Sequence, residues 1–340
     1  MESEPSQQEW QHLYEAAVAF KKAAPWEWME EDELFGVRNP ETGEIGWASV
    51  MGQAGEHRAL AIYLGAAGLH GFWTIHEGGE MLDPTVLFEV PQLQASFEDR
   101  EILTDRDRQV IKSLGLKFRG RMEWPLFRSY VPGYAPWHVM AEEARFVAIA
   151  LEQALDVARR LKENPELLEP EEDEYLVRVQ AGEGWVDEWI EPEPFGPQAI
   201  RRVDEARLAA VRAELPLQKS SLQVDLFMMT ATIQEKRDDR PLLPYNLLVV
   251  DSQSGMILGS DIVVAAPDLD AAWLKAQNSL VQIFAKLEGI PSRIQVRDGW
   301  QADLFGHVAH HLGARLAISP SLPALDEARY ALEEMMAGRF

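Results

Sequence analysis

Apolar positions recur along the chain with two periods, and the switches between them mark the elements. Trp10, Leu13, Tyr14, Ala17 and Val18 share one face at helical spacing, so residues 7 to 24 predict a helix that Pro25 ends. That helix should pack as a lid on a sheet. The stretch LFGVRNPETGEIGWASVMG sets a Pro and Gly turn between two strand-like runs, and RALAIYLG and GFWTIHE read as further strands. Residues 34 to 90 therefore predict an antiparallel sheet. A short helix is expected at 105 to 114, capped by Thr104 and closed by Gly115. A long one follows at 138 to 163, with Val147, Ala150, Leu151, Leu155 and Ala158 as its apolar stripe.

The last third of the chain alternates differently. LQVDLFMMTATI predicts a strand and NLLVVDSQSGMILGSDIVV a strand and hairpin. A helix at 268 to 288, the strand RIQVR, a helix at 301 to 312, the strand ARLAIS and a helix at 325 to 337 complete the order. Gly255 marks the hairpin turn, Gly289 and Pro291 end the first of these helices, and Gly313 ends the second. Three strands followed by alternating helix and strand predict a mixed α/β sheet.

Length and charge then divide the chain. Its 340 residues are enough for two cores. Residues 162 to 193 hold 12 acidic side chains against two basic ones, with several prolines, and YLVRV and WVDEWI suggest a strand or two among them. The reading is an N-terminal α+β domain over 1–165, an acidic linker segment with a helix (at 198 to 214) over 166–217, and a mixed-sheet domain over 218–340. The net charge is -24, of which residues from 221 onward carry -5. Such a field disfavours nucleic acid and anionic membranes, and favours a protein or small-molecule partner. The sequence has no cysteine, which excludes disulfides, thiol nucleophiles, iron-sulfur clusters and Cys-rich zinc sites. The acidic start MESEPSQQEW is unlike a signal peptide, and no apolar run reaches the roughly 18 residues of a membrane span, so a cytoplasmic protein is expected.

Several residue patterns are candidates for chemistry. Between the helices expected at 105 to 114 and 138 to 163, Lys117, Arg119, Arg121 and Arg128 interleave with Phe118, Trp124, Phe127, Tyr130, Tyr134 and Trp137. Alternation of this kind grips phosphates and stacks bases, with Arg119, Arg121, Trp124 and Arg128 as binding candidates. The simpler reading makes the aromatics core and lets the arginines pair with an acidic domain. Asp303, His307, His310 and His311 fall at metal-ligand spacing on a helix, but Phe305, Val308, Ala309 and Leu312 form the opposite, core-facing stripe. The histidines read as a solvent face. Asp251 and Asp261 flank a hairpin and read as structural, and GLHG, EGGE and AGEG lack the context of a phosphate-binding loop. Neither a G-x-S-x-G elbow nor an H-E-x-x-H helix occurs.

The order of elements in the last 120 residues resembles the ribonuclease H-like fold. KLEGIPSRIQVRDGWQADLFGHVAHHLGARLAIS looks like the integrase and transposase core, with a helix, a Gly-x-Pro turn, a strand, an Asp-containing turn and a second helix. The whole chain also resembles uncharacterised bacterial proteins of unknown function. The integrase resemblance implies two carboxylates on adjacent central strands and one on the last helix, holding Mg or Mn ions about 4 Å apart for phosphoryl transfer. Asp225 sits where the first would be, and Glu327, Glu333 and Glu334 are available on the last helix. Glu334 follows Asp298 by 35 intervening residues, as in the integrase pattern.

The middle position departs from it. Aligning Arg293, Ile294, Gly299 and Gln301 puts Arg297, rather than Asp298, at the metal-binding Asp. A guanidinium there would pair with Asp225 and take the place of a cation. A slipped register or bulge would return Asp298 to the site. The expectation is a degenerate site in a non-catalytic binding or regulatory protein that needs no cofactor. The alternative is a metal-dependent nuclease or small-substrate phosphohydrolase using Asp225, Asp298 and Glu334.

Overall fold

The computed structural model describes residues 3–55, 57–79, 84–169, 173–195, 200–234, 236 and 239–337. It divides into two compact units, Met1–Pro132 with Pro136–Gly196, and Gly133–Ala135 with Pro197–Phe340. Both are mixed α+β structures, each built on one sheet.

In the first unit, seven strands run in the order β5-β4-β3-β2-β1-β6-β7. They are β1 (Phe35–Arg38), β2 (Ile45–Met51), β3 (Ala59–Leu64), β4 (Gln92–Glu98), β5 (Trp124–Tyr130), β6 (Tyr175–Ala181) and β7 (Gly184–Ile190). Neighbours are antiparallel except β1 and β6, which pair in parallel. Strand period two sends Leu60 and Ile62 to one face and Ala61 and Tyr63 to the other. The first face joins a core with Phe20 of α1 (Gln7–Ala23) and Val147 and Leu151 of α4 (Ala141–Glu163). The second packs on Leu69 and Phe72 of α2 (Gly65–Gly78). The sheet is thus covered on both faces.

The stretch GFWTIHE is helical, not a strand. Its aromatic and β-branched composition suits a strand locally, but Leu69, Phe72, Trp73 and His76 also fit a helical stripe, and burying Leu69 and Phe72 on the sheet decides between the two. Gly68 makes the close approach: a Cβ there would lie 2.5 Å from the backbone of Tyr63. In α1 the buried face runs through Leu13, Tyr14, Ala17 and Phe20, so Val18, expected on that face, is exposed. The short helix forms as α3 (Asp105–Ser113), with a capping box between Thr104 and Asp107 and Gly115 at φ +69°.

The acidic segment does not act as a linker over 166–217. Arg178 and Asp187 face each other across the β6–β7 hairpin and form an ion pair. Arg160 of α4 also pairs with Asp187, and Arg178 Nε donates to Gln153 Oε1 at 3.1 Å. These contacts tie the hairpin to α4. Of that segment, α5 (Glu205–Glu214) lies in the second unit; it begins later than the helix expected at 198 to 214, of which 198 and 199 lie outside the described residues.

Arg145 of α4 holds α1 in place. Its guanidinium donates to Glu9 Oε1 at 2.5 Å and to both carboxylate oxygens of Glu41, at 2.5 and 2.7 Å. Glu9 also accepts from the amide of Ser6 at 2.7 Å, completing a capping box. The Ser6 amide, then its hydroxyl and Arg145, hold the Glu9 carboxyl down at about 2, against 4.5 ordinarily. The folded pKa lies below the unfolded one, so this contribution is complete above pH 4.5 and is lost as pH falls through about 2. Glu9→Gln is therefore expected to cost about 1 kcal/mol at neutral pH. Thermal unfolding of both proteins across acid pH should show that difference closing between pH 4.5 and about 2; a constant difference would show that the carboxylate's charge contributes nothing.

The second unit carries five strands in the order β10-β9-β8-β11-β12. These are β8 (Leu217–Met228), β9 (Tyr245–Asp251), β10 (Ile257–Val263), β11 (Ile290–Val296) and β12 (Arg315–Ile318). The pairs β10–β9 and β9–β8 are antiparallel, and β8–β11 and β11–β12 are parallel. Helices α6 (Leu269–Lys286), α7 (Gly299–Leu312) and α8 (Pro323–Ala337) follow the third, fourth and fifth strands. Leu248 and Val250 of β9 pack beneath Leu322, Leu325 and Ala328 at α8. No helix among the described residues is long and apolar enough to cross a membrane.

Candidate functional site

Asp225 lies on β8, the central strand of its sheet, where both flanking strands leave it 1 % exposed. It pairs in register with Leu248, which puts its side chain on the face that α8 covers. Gln223, two residues earlier on that face, accepts from the amide of Leu325 at 3.0 Å. A carboxylate in such a place must be hydrogen-bonded and paired.

Its partners come from two elements. Arg297, directly after β11, donates Nε at 3.1 Å and Nη2 at 2.9 Å to Asp225 Oδ2. Gln301 of α7, itself 4 % exposed, donates Nε2 to Oδ1 at 2.6 Å. Arg297 Nη2 also reaches Asp326 Oδ1 of α8 at 2.6 Å, and Nη1 reaches the carbonyl of Pro320 at 3.2 Å. One guanidinium therefore sits between two carboxylates. Burial alone would lower the pKa of Arg297, but the charge of Asp225 and the hydrogen bonds to Asp326 and Asp225 outweigh it and raise the value above the ordinary one.

The other residues of the implied carboxylate set lie elsewhere. Asp298 is the N-cap of α7, its Oδ1 accepting from the amide of Gln301 at 2.8 Å, as a turn-capping aspartate does. The register shift in the β8–β11 pair falls between Pro291 and Arg293, before Asp298. Glu334 is exposed and accepts from Tyr330 at 2.9 Å. It stands eight residues past Asp326, about 12 Å further along α8. The residue of the last helix at the site is Asp326, which sequence reasoning missed. No local signal marked it, since its approach to Arg297 depends on where α8 crosses the sheet.

The basic and aromatic stretch is spread over different environments. Phe118, Trp124 and Phe127 belong to the first unit's core. Arg128 donates to both oxygens of Asp107, at 3.0 and 2.7 Å. Burial pushes the Asp107 carboxyl up, and Arg128 with Thr104 outweighs this and holds it below its usual value. Arg121 is 91 % exposed and lies 3.5 Å from Asp99, and Arg119 is exposed. Arg100 covers the ring of Trp124. Arg128 is thus engaged by an ion pair, while Arg119 and Arg121 are open to solvent. Asp251 accepts from the amides of Gln253 and Ser254, and Asp261 from the hydroxyl of Ser279, so both serve the hairpin and its neighbours.

The histidine face of α7 is not wholly open to solvent. Asp303 and His310 are exposed, but His307 and His311 are half-buried beneath the start of α5.

Residues 10–178 match a domain of unknown function (DUF7309), and residues 207–333 match another domain of unknown function (DUF6930). No curated protein matches the chain. Among solved structures, a similarity is found to a chain of the simian T-cell lymphotropic virus intasome in complex with PP2A regulatory subunit B56 gamma, seen by cryoEM. It has 18% identity and a TM-score of 0.27, over 42% of this chain and 44% of that one.

Proposed function

We propose that this is a non-catalytic binding or regulatory protein whose second unit is a degenerate ribonuclease H-like domain. The observation that carries this reading is the Arg297 guanidinium between Asp225 and Asp326. Metal-assisted phosphoryl transfer needs carboxylate oxygens free to take divalent cations. Here both oxygens of Asp225 already accept hydrogen bonds, from Arg297 and Gln301, and a fixed positive charge stands beside them. The strand order and directions of the second unit support the fold assignment.

A partner without strong negative charge, protein or small molecule, suits a chain of net charge -24. The lack of cysteine suits a reducing compartment such as the cytoplasm. The role requires no cofactor at Asp225.

The test is calorimetric titration of the full chain with Mn²⁺ and Mg²⁺ beside Asp225→Asn, with an assay for cleavage of DNA and RNA. The expected result is the same weak binding in both proteins, and no cleavage. Micromolar binding that disappears in Asp225→Asn would overturn the reading and restore the nuclease.

A further inference from the structure

His307 and His311 stand one helical turn apart on α7, and Glu205 lies in the first turn of α5. One ligand atom from each of the three lies within 4.8 Å of the others. The rings of the two histidines are 4.3 Å apart at their centres.

Backbone carbonyls fix how each imidazole carries its proton. His307 Nε2 is 3.0 Å from the carbonyl of Val203, and a carbonyl only accepts, so in the neutral imidazole Nε2 holds the hydrogen and Nδ1 the lone pair. His311 Nδ1 is 3.0 Å from the carbonyl of His307, so in the neutral ring Nδ1 holds the hydrogen and Nε2 the lone pair. That Nε2 is 3.7 Å from Glu205 Oε1. Anchoring one ring nitrogen on a carbonyl, with the other left basic, is the arrangement that metal-binding histidines use.

We propose that Glu205, His307 and His311 form a site for a divalent transition metal of the zinc class. Two imidazole nitrogens and one carboxylate oxygen suit such an ion far better than Mg²⁺, which prefers oxygen ligands. Around a tetrahedral ion with bonds of about 2.1 Å, ligand atoms lie about 3.4 Å apart. With every separation within 4.8 Å, the three groups must close by at most about 1.4 Å, and the exposed Glu205 side chain has the freedom to move. Three ligands leave at least one position for water.

The bound ion would clip α5 to α7. Val203, just before α5, and Leu208 within it are buried, at 4 % and 0 % exposed, and the Val203 carbonyl already meets His307 of α7. The site uses none of the residues at Asp225, so it stands or falls independently of the function proposed above.

The test is titration of metal-free full-length protein with Zn²⁺ in the presence of excess Mg²⁺, read by calorimetry and by the visible spectrum of Co²⁺ in place of Zn²⁺. One equivalent should bind, and thermal stability should rise with it. Affinity should fall by roughly tenfold or more in His307→Ala, His311→Ala and Glu205→Gln. His310→Ala should leave it unchanged. Glu205 is exposed, so Glu205→Gln reports on the metal without loss of the fold. Zn²⁺ binding that Mg²⁺ displaces, that is absent, or that survives Glu205→Gln and His311→Ala would overturn the site.

Discussion

Arg297→Ala is expected to lower the stability of the second unit by about 2–4 kcal/mol, because it leaves the Asp225 carboxylate buried beside only a neutral amide. The cost stays below that of a fully enclosed pair because the Arg297 side chain is 29 % exposed, against 2 % for Asp225. The reverse change is milder. Asp225→Asn leaves a guanidinium that still reaches Asp326, Pro320 and solvent, and should cost about 1–2 kcal/mol. Combining the two should recover part of the loss, since the charge that Arg297 compensates has gone. Urea unfolding of the four proteins measures this cycle. Additive losses would mean that the contact in the structure contributes no coupling, and the account of a plugged site would lose its energetic basis.

Phe97→Ala should be at least as damaging to the first unit, at about 3–5 kcal/mol, the usual cost of emptying a large aromatic from a closed core. Phe97 is 1 % exposed on β4, with its ring centre 6.4 Å from Phe20 of α1 and 5.7 Å from Trp26. Its loss removes one of the contacts through which α1 and the turn after it sit on the sheet. A fall in melting temperature of about 10 °C is expected. Val18→Ala, on the same helix but 43 % exposed, should change stability by less than about 0.5 kcal/mol. If both variants melted alike, the buried face of α1 would have to be redrawn.

How much of this was legible depends on how local the cause is. The caps of α1, α3 and α7 rest on side chains three residues from the amides they bind, and Thr104 and Gly115 bracketed α3 correctly. The order of strands and helices after residue 217 followed from period and punctuation alone. The acidic hairpin was harder. Its charges suggest solvated chain until Arg178 is set opposite Asp187, and that register exists only once β6 pairs with β7. GFWTIHE failed for a related reason, since seven residues fit either period and the burial of Leu69 and Phe72 makes the choice.

The candidate sites divide in the same way. That Asp225 in an apolar run needs a partner is a matter of desolvation, and it was the alignment on the integrase pattern that nominated Arg297. Asp326 could not be nominated, because its approach to Arg297 depends on how α8 crosses the sheet. Nor could Glu205, which lies about a hundred residues before the histidines it meets. By itself, then, the sequence determined the two-unit α+β plan, the cap of α3 and the need to compensate one buried carboxylate, all through interactions of short range or the cost of burial. Tertiary structure alone decided which acids share the guanidinium and which histidines face a carboxylate, because those contacts join elements whose relative placement is set by packing of whole faces.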